Sequence, residues 1–172
     1  GIGRAAARLF AAEGANVVAL ARRETELKSL VTEIEAAGGC ATFVAGDVRD
    51  ENVHTRAVET AVGEFGKLDI ALNNAGWLGE IAPAADISIA GWRETLDVNL
   101  TAGFLAARQQ LAALETDGGG SMIFTATFVG ATLGFPGMAA YGAAKAGLVG
   151  LMRVLAVEYA ARGVRVCVAS RP

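Results

Sequence analysis

Apolar residues follow two rhythms along the chain. Short, nearly unbroken runs at residues 15–20, 41–45, 68–72, 122–125 and 164–169 predict β-strands. Such runs suit strands of a parallel sheet that is covered on both faces. Between them, apolar positions return at helical spacing over residues 4–13, 24–37, 51–65, 90–113 and 141–161. Gly14, Gly38-Gly39 and Gly66 stop the first three of these, as glycine does just past a helix end. Strands alternating with helices require right-handed crossovers, and so an α/β fold with a doubly wound parallel sheet in three layers. No repeat, charge block or linker divides the pattern, and Gly118-Gly119-Gly120 reads as a turn into the next strand. The whole of residues 1–172 is expected to form one domain.

The pattern starts at Gly1-Ile2-Gly3-Arg4 with a helix and no strand before it, and stops at Arg171-Pro172 directly after a strand. A first strand is therefore expected to be missing. That strand would be central in a doubly wound sheet, so a gap is expected between two strands that should be neighbours.

Composition narrows the classes. Of 172 residues 53% are hydrophobic, enough for a substantial core, and the net charge of −3 with scattered Lys and Arg argues against a nucleic-acid partner. Cys40 and Cys167 have no ligand-like spacing and are expected as buried apolar residues, and no metal site is expected. His54, the only histidine, lies in a charged helical stretch and is expected to be solvated. No apolar run approaches the roughly 20 residues that span a bilayer, and no signal core is visible, so a cytoplasmic protein is expected.

Several short motifs carry chemistry. Gly1-Ile2-Gly3 at a helix start could end a glycine-rich phosphate loop, where missing side chains let a pyrophosphate reach the helix amides; two permissive residues at a helix start would look the same. The first run ends at Ala21-Arg22-Arg23, where a dinucleotide fold meets the adenosine ribose. Ala21 offers no carboxylate to the 2′-hydroxyl, whereas Arg22 could pair with a 2′-phosphate, which favours NADP(H) over NAD(H); a solvated helix start is the plainer alternative. Tyr141 and Lys145 stand four apart on a predicted helix and share one face. An ammonium beside a phenol stabilises the phenolate and draws its pKa down from near 10, which makes the pair useful in acid–base chemistry.

Gly46-Asp47-Val48 and Asn73-Asn74-Ala75-Gly76, each closing a strand, followed by Asn99 and then Tyr141 and Lys145, resemble the short-chain dehydrogenase/reductase family over nearly the whole chain. The resemblance implies a Rossmann-type dinucleotide-binding and catalytic domain that moves hydride between a nicotinamide and an alcohol or a ketone or aldehyde. It implies that Asp47 and Val48 contact adenine and that Asn74, Ala75 and Gly76 line the nucleotide, beside Gly1, Ile2, Gly3 and Arg22. It also implies that Tyr141 exchanges the proton, that Lys145 lowers its pKa and holds the nicotinamide ribose, and that Asn99 holds a relay water. The family's serine before the tyrosine is replaced here: aligning on Gly130 puts Thr127 in its place and Ala126 just before it, with one extra residue before Tyr141. Threonine keeps a hydroxyl that could orient a carbonyl.

By the same likeness a homodimer or homotetramer is expected, acting on a small-molecule alcohol or carbonyl compound. Ala126 leaves open a member that binds nucleotide or partner subunits without turnover. A flavodoxin-like binding module would have to treat Tyr141, Lys145 and Asn99 as coincidence. Trp77, Phe135 and Met138 are candidate substrate contacts or simple packing residues.

Overall fold

The computed structural model describes residues 1–116 and 118–170. Arg171 and Pro172 lie outside them. The chain runs α1 (Ile2–Ala12), β1 (Asn16–Ala21), α2 (Glu24–Ala36), β2 (Cys40–Ala45), α3 (Glu51–Phe65), β3 (Ile70–Asn73), α4 (Ile89–Leu96), α5 (Ala102–Glu115), β4 (Ser121–Thr125), α6 (Ala139–Tyr159) and β5 (Arg165–Ala169). Each expected element is present within about two residues of its expected bounds.

All strand pairs are parallel. They form two sheets, β1–β2 and β3–β4–β5, with no ladder between β1 and β3. This is the doubly wound strand order interrupted at one position, as the sequence pattern led one to expect. Phase along the strands decides the packing. Ala71, Met122, Phe124 and Val166 point to one face and join Ala107, Leu111, Leu114 and Leu148 of α5 and α6 in the main core. A smaller cluster joins Ala11 of α1 and Leu30 and Ile34 of α2 to Ala41 of β2. Asp50 starts α3 by accepting the Asn52 N–H at 3.0 Å, and Gly66, at φ 84°, ends it.

Three expectations are corrected. The opposite face of β3–β4–β5 leaves Ile70 44% exposed, and Cys167 on that same face is exposed; Cys40, at the start of β2, is exposed too. His54 is buried, because α3 folds back over the end of β2 and its Nε2–H donates to the Val48 carbonyl at 2.7 Å. The span Ala139–Arg162, with mean hydropathy 1.3, is long and apolar enough to cross a membrane by length and composition. In this fold its Ala144, Leu148 and Leu155 are buried, with Leu148 and Leu155 in the main core.

Phe124 is completely buried at the centre of the main cluster. Phe124→Ala is expected to lower the unfolding free energy by about 3–5 kcal/mol, read from urea denaturation curves, whereas truncating exposed Leu9 is expected to change it by less than about 0.5 kcal/mol.

Candidate active site

Strand ends and helices bring Asn74, Gly76, Asn99, Tyr141 and Lys145 together, whereas Thr127 lines a cavity with Val149, Val168 and Ser170. The expected helix over residues 90–113 is interrupted by a π-turn at Asp97–Thr101, and Asn99 sits in it, 2% exposed. Such a bulge frees main-chain groups from the helical ladder, which is why it recurs at functional sites. Both Asn99 amide hydrogens are used: Nδ2 donates to the Trp77 carbonyl at 2.7 Å and the Thr95 carbonyl at 2.8 Å, while Oδ1 accepts the Trp77 N–H at 3.1 Å. Asn99 therefore grips the backbone just after Gly76. A side chain at Gly76 would bring its Cβ to 3.1 Å from Asn99 Oδ1 and 3.4 Å from Lys145 Nζ, so glycine there keeps the space open.

Lys145 is buried and Tyr141 half-buried, one helical turn apart on α6. The Lys145 ammonium donates to the Thr125 carbonyl at the end of β4, at 2.8 Å, and lies 5.8 Å from the centre of the Tyr141 ring. Burial pushes the Lys145 amine down from 10.5 to about 8. Burial also pushes the Tyr141 phenol up from its ordinary 10, opposite to the expected lowering by the ammonium. The cause is desolvation of the half-buried phenol, while the ammonium is bonded to Thr125.

Thr125 Oγ1 also donates to Asn74 Oδ1 at 3.1 Å, tying the end of β4 to the end of β3. Asn73 makes a reciprocal amide pair with Gln110 of α5, at 2.9 and 3.1 Å. Thr127 lies two residues beyond β4; its hydroxyl accepts the Val129 N–H at 3.3 Å, and among the described residues its own hydrogen has no acceptor. Ala126 is buried, its N–H donating to the Ala169 carbonyl at 2.9 Å.

The nucleotide candidates lie along the same edge. Gly1 stands at the start of α1 with no side-chain cap bond and no acidic residue in the first turn, beside exposed Ile2. A Cβ at Gly3 would come 3.1 Å from Asn74 Nδ2, which places the α1 start against the end of β3. Arg22 is exposed and near enough to Asp47 to help hold its carboxyl at about 2, although the main cause is Arg49. Arg49 binds the Asp47 carboxylate through Nε at 3.0 Å and Nη2 at 2.6 Å. The expected adenine contact of Asp47 thus has a neighbour the sequence reading overlooked. Val48 gives its carbonyl to His54, and Ala75 and Gly76 are exposed.

The family model of the short chain dehydrogenases matches residues 1–170. This chain belongs to the short-chain dehydrogenase family. Among its relatives, a cyclohexanol dehydrogenase of Acinetobacter sp. (strain SE19) is 39% identical over 166 residues, covering 96% of this chain and 66% of the relative. A 3beta-hydroxysteroid dehydrogenase of Mediterraneibacter gnavus is 35% identical, covering 95% of this chain and 59% of the relative. The chain thus spans less than two thirds of the length of these curated relatives. Among solved structures, a 3-ketoacyl-ACP reductase from Sinorhizobium meliloti 1021 matches with TM-score 0.95 and 39% identity over 99% of this chain and 67% of that one. A metagenomic short-chain oxidoreductase in complex with NADP matches with TM-score 0.93 and 32% identity, over 100% of this chain and 77% of that one.

The residues present fit the nicotinamide dinucleotide that this short-chain dehydrogenase fold implies. The side-chain-free Gly3 and Gly76 and the uncapped α1 amides leave room and donors for a diphosphate. Lys145 has three ammonium hydrogens and gives one to Thr125, so two remain for hydroxyl groups. Among the described residues no group of three His, Cys, Asp or Glu could hold a metal. Sequence reasoning missed Thr125 and Gln110, whose roles depend on partners far away in sequence; Thr95, one turn before Asn99, and Arg49, two residues after Asp47, had local signals that were usable.

Asn99→Ala would strand the Trp77 N–H and carbonyl together with the Thr95 carbonyl. A loss of about 2–4 kcal/mol in denaturant titration is expected, with Thr101→Ala, which gives up one exposed hydroxyl bond, as the near-neutral control.

Proposed function

We propose that the chain is the nucleotide-binding and catalytic part of an oxidoreductase that interconverts an alcohol and a ketone or aldehyde and prefers NADP(H). The observation that carries this reading is the meeting of buried Lys145, buried Asn99 and side-chain-free Gly76 beside Tyr141. A nicotinamide cofactor supplies the hydride chemistry when bound. The chain's own residues do the rest. Tyr141 Oη passes the proton to or from the substrate oxygen, and Thr127 turns its free hydroxyl hydrogen toward that oxygen. Lys145 offers its two uncommitted hydrogens to ribose hydroxyls and draws the phenol pKa down once a ligand moves the ammonium closer. Asn99 contributes by fixing the Trp77 backbone, and a relay water fits its place in the π-turn.

Arg22 and the lack of a carboxylate at Ala21 support the NADP(H) preference. Asp47 and Val48 border the adenine, with Asp47 sharing its carboxylate between Arg49 and the base. Asn74, Ala75 and Gly76 run along the nucleotide, and Gly1, Ile2 and Gly3 approach its diphosphate. A homodimer or homotetramer in the cytosol completes the reading, supported by the exposed Phe104 of α5 and Val154 and Val157 of α6, the last 81% exposed. A second reading, a member that binds nucleotide without turnover, is favoured by the ammonium's commitment to Thr125 and the raised phenol.

Fluorescence titration of NADPH and NADH separates these readings. Tighter NADPH binding, reduced roughly tenfold or more by Arg22→Ala with NADH unaffected, is expected. Alcohol oxidation that falls at least about 100-fold in Tyr141→Phe while NADPH affinity stays unchanged supports catalysis. Binding with no turnover in either protein supports the second reading.

A further inference from the structure

His54 is 4% exposed and takes no part in the proposed hydride and proton transfers. Among the described residues its side chain makes one hydrogen bond, and that bond goes to the main chain. A carbonyl can only accept, so the Nε2 atom carries the hydrogen and donates it to Val48 at 2.7 Å. Val48 stands in the turn between β2 and α3, where no sheet or helix ladder uses its carbonyl.

The same turn leans on α3 at two further points. Arg56 Nη2 donates to the Ala45 carbonyl at 3.2 Å, and Gly46 lies so close to Val53 that a Cβ at that position would collide with it. The helix is itself fastened to α5, because the Glu51 carboxylate accepts from Arg108 at 3.1 Å and from Gln109 at 2.8 Å. On its other edge the turn meets β1: the Gly46 N–H donates to the Ala21 carbonyl at 2.9 Å, next to Arg22. Residues 46–48 are thus set between an anchored helix and the end of β1. A turn with few ladder bonds samples several conformations unless buried donors hold it. A base that lies on a turn already fixed loses less entropy on binding.

We propose that His54 is a positioning residue for cofactor recognition, holding the Val48 carbonyl from the protein side and so fixing the Asp47-Val48 turn on which the adenine rests. The proposal rests on the dehydrogenase reading, which puts the adenine there. His54 itself touches no cofactor atom; its effect reaches the base through Val48.

The test is fluorescence titration of NADPH and of its hypoxanthine analogue, in which a carbonyl oxygen replaces the adenine amine. The amine can donate to the Asp47 carboxylate and the oxygen is repelled by it, so the unaltered protein is expected to bind NADPH at least about fivefold more tightly than the analogue. His54→Leu leaves the Val48 carbonyl without a donor, and is expected to weaken NADPH binding about fivefold and to shrink the preference at least about threefold. His54→Gln, whose Nε2 lies as many bonds from the backbone and can donate to Val48, is expected to keep both within about twofold. Leu114→Ala opens the core beside Gly120, at the far end of β4, and is expected to lower the melting temperature without moving the preference. His54→Asn, whose amide stops short of Val48, replaces His54→Leu should that variant be unfolded at the assay temperature. A preference that survives loss of the donor, or one that either His54→Gln or Leu114→Ala loses as well, overturns the proposal, while NADPH binding by the unaltered protein leaves the dehydrogenase reading standing. No preference in the unaltered protein overturns the placement of adenine on this turn and the proposal with it. Failure of the unaltered protein to bind NADPH overturns the dehydrogenase reading too.

Discussion

The site is organised around one buried charge. Lys145 is 3% exposed, and an ammonium moved out of water without compensation loses several kcal/mol. Its compensation here is the Thr125 carbonyl, which projects from the end of β4 because the strand stops there. Thr125 can serve only while its own position is fixed, and its hydroxyl does this by donating to Asn74 at the end of β3. Asn74 in turn lies against Gly3 at the start of α1. A chain of contacts thus runs from α6 through β4 and β3 to α1, and the parallel sheet exists, in functional terms, to bring those ends together.

Much of this was legible in the sequence, for physical reasons. Parallel strands packed by helices read as apolar runs, and helix ends are marked by glycine, so element positions followed from local pattern alone. The interruption between β1 and β3 followed from the order of elements. Tyr141 and Lys145 could be paired because helix periodicity is rigid, and Asn99 because an asparagine inside an apolar helical pattern needs a reason. Other features depend on contacts between distant residues. Burial of His54 comes from the Val48 carbonyl, and exposure of Cys167 comes from which face of β5 is covered, neither of which local pattern records. The direction of the Tyr141 shift escaped for the same reason: side-chain spacing puts the ammonium near the phenol, but Thr125 decides where the ammonium points.

Two parts of the fold meet at Asn99. Strand ends and buried polar groups fix Lys145, Asn99 and Gly76, a feature that suits chemistry common to a family. The exposed Trp77 stands just after Gly76, on backbone that Asn99 holds. Asn99 belongs to both parts, since one amide holds the π-turn to Thr95 and the start of the loop to the site.

The burial of the Lys145 ammonium is the claim on which the rest depends, and its side-chain titration followed by NMR tests it most directly. Desolvation at the Thr125 carbonyl is expected to give a midpoint of about 8, with the charged form costing the folded state at neutral pH and that cost fading as pH rises toward the unfolded value of 10.5. A midpoint near 10.5 would mean a solvated amine and would contradict the account.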